Sequence, residues 1–164
     1  MMNFTCGWYV ANSILKRSFE DKIYITSLKL NCLLYLLYSD YLYRYGNKLF
    51  NELFVKTSIG PCIPSVCSKF DCFGNDVIDN YAKDAVGRVL VVNGDNFNEC
   101  LSYVWNTYKY MDDNEILDLV NNFNAVYKKK IDQCLNDVDI LDDEIKRNNI
   151  ILQRAKVYRK NMKN

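Results

Sequence analysis

TSLKLNCLLYLLYSDYLYRYGNKLFNELFVKTSIGPCIP, residues Thr26 to Pro64, decides the fold. Its first half predicts a central helix. Thr26 is placed to cap the start by accepting a hydrogen bond from a free backbone N–H of the first turn. Leu30, Leu33, Leu34, Leu37 and Tyr41 recur at spacings of three and four, which sets them on one helical face. Leu36 and the tyrosines at 35, 38, 43 and 45 carry apolar surface around the rest of the cylinder. A helix that is apolar on most sides needs neighbours on most sides. Gly46 is placed to end it, because glycine enters the left-handed conformation at little cost.

The second half of the stretch changes character. Leu49-Phe50 and Leu53-Phe54-Val55 are short apolar runs, and Ser58-Ile59-Gly60-Pro61 supplies turn chemistry. This pattern predicts two short strands or an extended hairpin arm. A helix should then begin near Pro64, since proline is tolerated in a first turn. The expected fold class is therefore mainly α: one compact helical domain around a central buried helix, with a short β-hairpin arm.

The ordered motifs of this stretch resemble the Panacea antitoxin domain family. They are Thr26, Leu28-Lys29-Leu30 and Leu33-Leu34-Tyr35, then Gly46 with Leu49-Phe50, then Gly60-Pro61 with Ile63-Pro64. The resemblance runs from residue 6 to residue 75. It implies a phage- or mobile-element-associated antitoxin that neutralises a separately encoded protein toxin, often one that arrests translation or is handed to a protease. Two departures stand out. The family usually carries a tryptophan where Thr57 stands, and a histidine-bearing helix in its later part.

Composition bounds the remaining choices. A chain of 164 residues suits one domain with a sizeable core. With 49% hydrophobic and 25% charged residues it reads as globular rather than disordered. A net charge of +1 gives no global field to recruit nucleic acid or membrane. Histidine is absent, which excludes Ser-His-Asp and Cys-His catalysis, His-ligated zinc and the commonest general base. The longest unbroken apolar run, Cys32 to Tyr38, falls far short of a membrane span. MMNFTCGWYV carries neither a basic leader region nor a cleavage site, and the cysteines number seven, so reduced thiols and a cytoplasmic location are expected.

Outside the central stretch, Cys6 to Phe19 gives a helical stripe through Trp8, Val10, Ala11, Ile14 and Leu15. Arg88-Val89-Leu90-Val91-Val92 is β-branched enough to predict a strand, and Asn93-Gly94 marks a turn. Asp95 is a candidate cap for a helix through Phe97, Leu101, Val104, Trp105 and Tyr108. Asp112 or Asp113 is a candidate cap for the next, through Ile116, Leu117, Leu119, Val120, Phe123 and Val126, with Lys128-Lys129-Lys130 at its basic end. Two units are expected: residues 1–135 as the helical domain, and residues 136–164 as a charged C-terminal helix docked on that domain or on a partner. The tail is acidic at first (Asp137, Asp139, Asp142, Asp143, Glu144) and basic afterwards.

Candidate sites are few. Cys62, Cys67 and Cys72 are spaced too widely for the paired ligands of a structural zinc site, and packing is the simpler account. Nothing in the sequence marks an activating group for a catalytic cysteine. Carboxylate pairs such as Asp112-Asp113 read as helix caps and surface charge. No glycine loop has the spacing of a nucleotide motif. No catalytic residue, cofactor or metal ligand is therefore assigned. The expected protein-partner surface takes Tyr35, Tyr38, Phe54, Lys56, Ile59 and Pro61, since tyrosine favours interface centres. The basic tail, through Lys146, Arg147, Arg154, Arg159 and Lys160, supplies candidate nucleic-acid contacts.

The expectation is a non-enzymatic protein-binding module of antitoxin type. Its alternatives are a phage or mobile-element inhibitor of a host defence complex, and a nucleic-acid-binding regulator that uses the tail. A second copy of the chain is a further candidate partner, and a membrane is not. The cysteine spacing also yields a direct prediction: elemental analysis of the purified chain will find no stoichiometric zinc or iron.

Overall fold

The computed structural model describes residues 5 to 122 and 129 to 163. Helix α1 (Gly7–Asp21) is followed by the central helix α2 (Ser27–Tyr45). Strands β1 (Phe54–Thr57) and β2 (Gly60–Cys62) form the hairpin, and α3 (Pro64–Phe70) continues into a single 3₁₀ turn over Asp71–Phe73. Helices α4 (Asp95–Tyr108) and α5 (Asp113–Asn121) come next. The short strand β3 (Cys134–Leu135) leads into the long helix α6 (Asp137–Met162). The chain is mainly helical with one small antiparallel sheet, as the sequence predicts.

Helix α2 is the axis. The Thr26 hydroxyl accepts from the Lys29 backbone N–H at 3.2 Å, and Gly46 closes the helix at φ 67°. Residues Leu30 to Tyr38 are buried around the whole circumference, so the helix has no solvent face along this length. Its neighbours are α1, α3, α4, α5, α6 and strand β2. Full burial of each leucine contributes about 1.5–3 kcal/mol, which is why this helix gathers the others.

The sheet runs in the order β2-β1-β3. Val55 pairs with Cys62 and Thr57 with Gly60 across the hairpin, while Phe54 pairs with Leu135 on the other side. Pro61 sits in β2, an edge strand, where its missing N–H is tolerated. Gly60 is required on two counts. Its φ is +106°, and a Cβ there would lie 2.9 Å from Leu117 of α5, which packs over the edge of β2. Strand β3 has no counterpart in the sequence reading, because two residues before a helix cap carry no periodicity.

The strand expected at Arg88–Val92 does not form. The segment runs extended along α1, and buried side chains of that helix satisfy its backbone. Asn12 donates its amide to the carbonyls of Ala82 (2.9 Å) and Leu90 (3.0 Å) and accepts from the Ala82 N–H (2.9 Å). The Ser13 hydroxyl accepts from the Val92 N–H at 2.8 Å. A β-branched run needs backbone partners, and here polar side chains of a helix supply them. Asp112 caps α5 through a reciprocal capping box with Glu115. In α4, by contrast, Gly94 holds the cap position and Asp95 is the first helical residue. Phe123, Val126 and Lys128 of the expected stripe lie outside the described residues.

Polar groups tie the helices together at specific points. The Lys29 ammonium donates to the carbonyls of Lys109 (2.7 Å) and Met111 (2.5 Å), placing a cation at the C-terminal end of α4. Trp105 donates to the Asp21 carboxylate at 2.8 Å, and this bond, with the nearby Lys109, holds the Asp21 carboxyl below its usual range. Further along α2, Ser39 meets α6. Its hydroxyl donates to Glu144 at 2.8 Å, and Arg147 bonds Glu144 at 2.8 Å and Ser39 at 3.2 Å. Arg147 is 2% exposed. Breaking a buried ion pair by removing one partner costs roughly 3–5 kcal/mol. Arg147→Ala should therefore lower stability by that amount in urea unfolding, whereas Arg154→Ala, on the exposed part of the same helix, should change it by less than about 0.5 kcal/mol.

Candidate partner-binding surfaces

The residues assigned to a partner surface from sequence separate on folding. Tyr35, Tyr38 and Phe54 belong to the core, with ring centroids 5.3 Å apart for Tyr35–Phe54 and 5.5 Å for Tyr38–Phe54. A partner cannot reach them. The Tyr38 hydroxyl donates to Asp137 at 2.7 Å, which fixes the start of α6 against α2. Burial pushes the Tyr35 and Tyr38 phenols well above their usual range. Pro61 is buried in the edge strand beneath α5, and Lys56 is half-buried in β1, between β2 and β3. Of the six, Ile59 at the hairpin tip stands in solvent, 56% exposed. Spacing placed the tyrosines around the helix but could not say that every face of α2 is covered.

The tail residues divide in the same way. Arg147 is locked in the buried network with Glu144 and Ser39, so it contacts no external phosphate. Lys146 bonds Asp142 at 2.9 Å on the helix surface. Arg154, Arg159 and Lys160 are exposed.

This division exposes a feature of α6 that the sequence reading missed. Its N-terminal half docks on α2 through Ile140, Asp143, Glu144 and Arg147. Every residue from 149 to 163 is exposed, so the C-terminal half projects from the body as a bare helix. Isolated helices of roughly this length are marginal in water, so packing by a partner would stabilise it. Along its exposed side, Val138, Ile145 and Leu152 recur at intervals of seven, with Leu141, Ala155 and Met162 three residues after Val138, Leu152 and Arg159. The repeat is broken at Asn148 and Arg159, so the projecting half keeps Leu152, Ala155 and Met162 as its apolar residues on this side. Val138, Leu152 and Met162 are among the most exposed large apolar side chains of the chain. The charge of the projecting half is basic throughout: Arg154, Lys156, Arg159, Lys160 and Lys163, with no acid after Glu144. The sign of heptad spacing was available in the sequence, but the docked face at Ile140, Asp143, Glu144 and Arg147 interleaves with it and blurs both stripes.

A cleft of about 540 Å³ opens on another side, between the start of α2, the hairpin turn and α3. Asn31, Thr57, Ile59, Cys62, Cys67 and Asp71 contribute to its wall. Among the described residues, no cluster of three or more Cys, Asp or Glu side chains is placed to hold a metal ion. No helix of the described residues is long and apolar enough to cross a membrane.

Compared with known protein families, with curated proteins and with solved structures, the chain matches none.

Proposed function

We propose that the chain is a non-catalytic protein-binding module that captures a separate protein along the projecting half of α6. The observation that carries this reading is the helix itself. Its docked half is anchored by a buried ion pair, and its free half exposes Leu152, Ala155 and Met162 among cations. Such a helix fits a partner that offers an amphipathic helix with acidic flanks. The lack of histidine supports a binding role over a catalytic one.

The resemblance of residues 6 to 75 to the Panacea antitoxin domain supports a toxin as the captured protein. An effector of a host defence complex is the close variant. A second reading, nucleic-acid binding, is favoured by one observation: Arg154, Lys156, Arg159 and Lys160 are all exposed on one unbroken helix, with Lys163 exposed just past its end.

Affinity capture from the native host, with and without nuclease, separates these readings. A stoichiometric protein that survives nuclease is expected, and Leu152→Glu with Ala155→Glu should weaken its capture at least about tenfold. Both positions are exposed, so stability should change by less than about 1 kcal/mol. A partner held equally well by this variant would overturn the assignment to α6. Recovery that vanishes with nuclease would favour the nucleic-acid reading. Growth rescue of cells expressing the captured protein tests its identity as a toxin.

A further inference from the structure

Two cysteines that the binding role does not use are placed for chemistry. Cys62 is the last residue of β2 and Cys67 lies in the first turn of α3, where its N–H bonds the Ile63 carbonyl at 3.0 Å. Strand pairing of Cys62 with Val55 fixes one backbone, and the helical turn fixes the other. Their sulfurs are 2.6 Å apart, with the Cys67 thiol donating to Cys62. The Cys67 sulfur also lies 3.7 Å from the Asn31 side-chain oxygen. Both are free thiols, and both face the cleft beside the hairpin turn. Two sulfurs held in contact by a strand and a helical turn are placed to close to a disulfide.

We propose that Cys62 and Cys67 form a reversible dithiol–disulfide site that takes small-molecule disulfides of the glutathione class as its oxidant. Cys62 and Cys67 both line the open cleft of about 540 Å³, which gives a small disulfide access to them. The hydrogen bond from Cys67 holds the Cys62 thiol below its usual range, while the same bond, with burial, pushes Cys67 up. In the proposed exchange Cys62 attacks as the thiolate. It forms a bond to one sulfur of the incoming disulfide, whose S–S bond breaks and releases one thiolate. Cys67 gives its proton to that thiolate and attacks the Cys62 sulfur, expelling the second small thiol. The two cysteines lose two electrons, and the small disulfide gains them as two thiols. Excess small thiol reverses both steps. Cys32 and Cys100 take no part, since burial pushes both thiols up to about 12. The bond would pin the return strand of the hairpin to α3 at the wall of the cleft.

The test uses the full chain equilibrated across a series of reduced-to-oxidised glutathione ratios, acid-quenched, alkylated and digested with trypsin. The peptide spanning residues 57–69 contains Cys62 and Cys67 and no other cysteine. It should become unalkylated and two hydrogens lighter, free of glutathione. Closure should occur at a ratio at least about tenfold more reducing in the folded chain than in urea-unfolded chain, because the fold holds the sulfurs together. In Cys67→Ser, the same peptide should instead retain one glutathione on Cys62. A wild-type peptide that stays doubly alkylated, accumulates glutathione adducts, or closes no more readily folded than unfolded overturns the proposal.

Discussion

Everything in this structure answers to the surface of α2. A helix with apolar side chains on every face cannot lie on a protein's exterior, and between Leu30 and Tyr38 this one has no exterior to face. Six other elements supply the cover. Three are neighbours in sequence, α1, β2 and α3, and three return from the C-terminal half, α4, α5 and α6. Removing any one would expose leucine or tyrosine surface, so the parts are bound to a common axis rather than to one another in sequence.

An axis of this kind creates a second problem, since helices bring buried backbone ends and polar side chains with them. The structure resolves it through long-range hydrogen bonds. Glu52 accepts from the Gly7 N–H at the start of α1, where Cys6 offers no side-chain cap, and also from Ser65 in the first turn of α3. Lys29 serves the C-terminal carbonyls of α4. Asn12 and Ser13 serve an extended segment about seventy residues away that would otherwise need a strand partner. Each bond contributes only about 0.5–1.5 kcal/mol net. Each unmade bond would cost more, and that asymmetry fixes where the segments lie.

Helix α6 marks where the axis stops. Its acidic half is drawn onto α2 by Tyr38, Ser39 and the pair of Glu144 with Arg147. Its basic half runs past the end of the available core and keeps Leu152 and Met162 in water. The change of charge sign along the tail, which looks in sequence like one amphipathic element, is a division of labour between docking and display. The proposed binding role rests on that display. The dithiol at Cys62 and Cys67 belongs to a different face, built by the hairpin and α3.

The sequence by itself determined the central helix, its Thr26 and Gly46 caps, the hairpin and the helix start at Pro64, and it narrowed the α5 cap to Asp112 or Asp113. All are local: they depend on spacing, capping oxygens and glycine or proline geometry within a few residues. It also determined the chemistry denied to the chain, because absent histidines cannot be restored by folding. Only the tertiary structure decided which tyrosines are buried, and it removed Tyr35, Tyr38, Phe54 and Pro61 from the surface on which their residue types placed them. It turned Arg147 from a phosphate contact into the anchor of α6, and it replaced the strand at Arg88–Val92 with a segment held by α1. The reason is the same in each case. Periodicity tells how a residue faces its own element, while burial depends on what arrives from elsewhere in the chain.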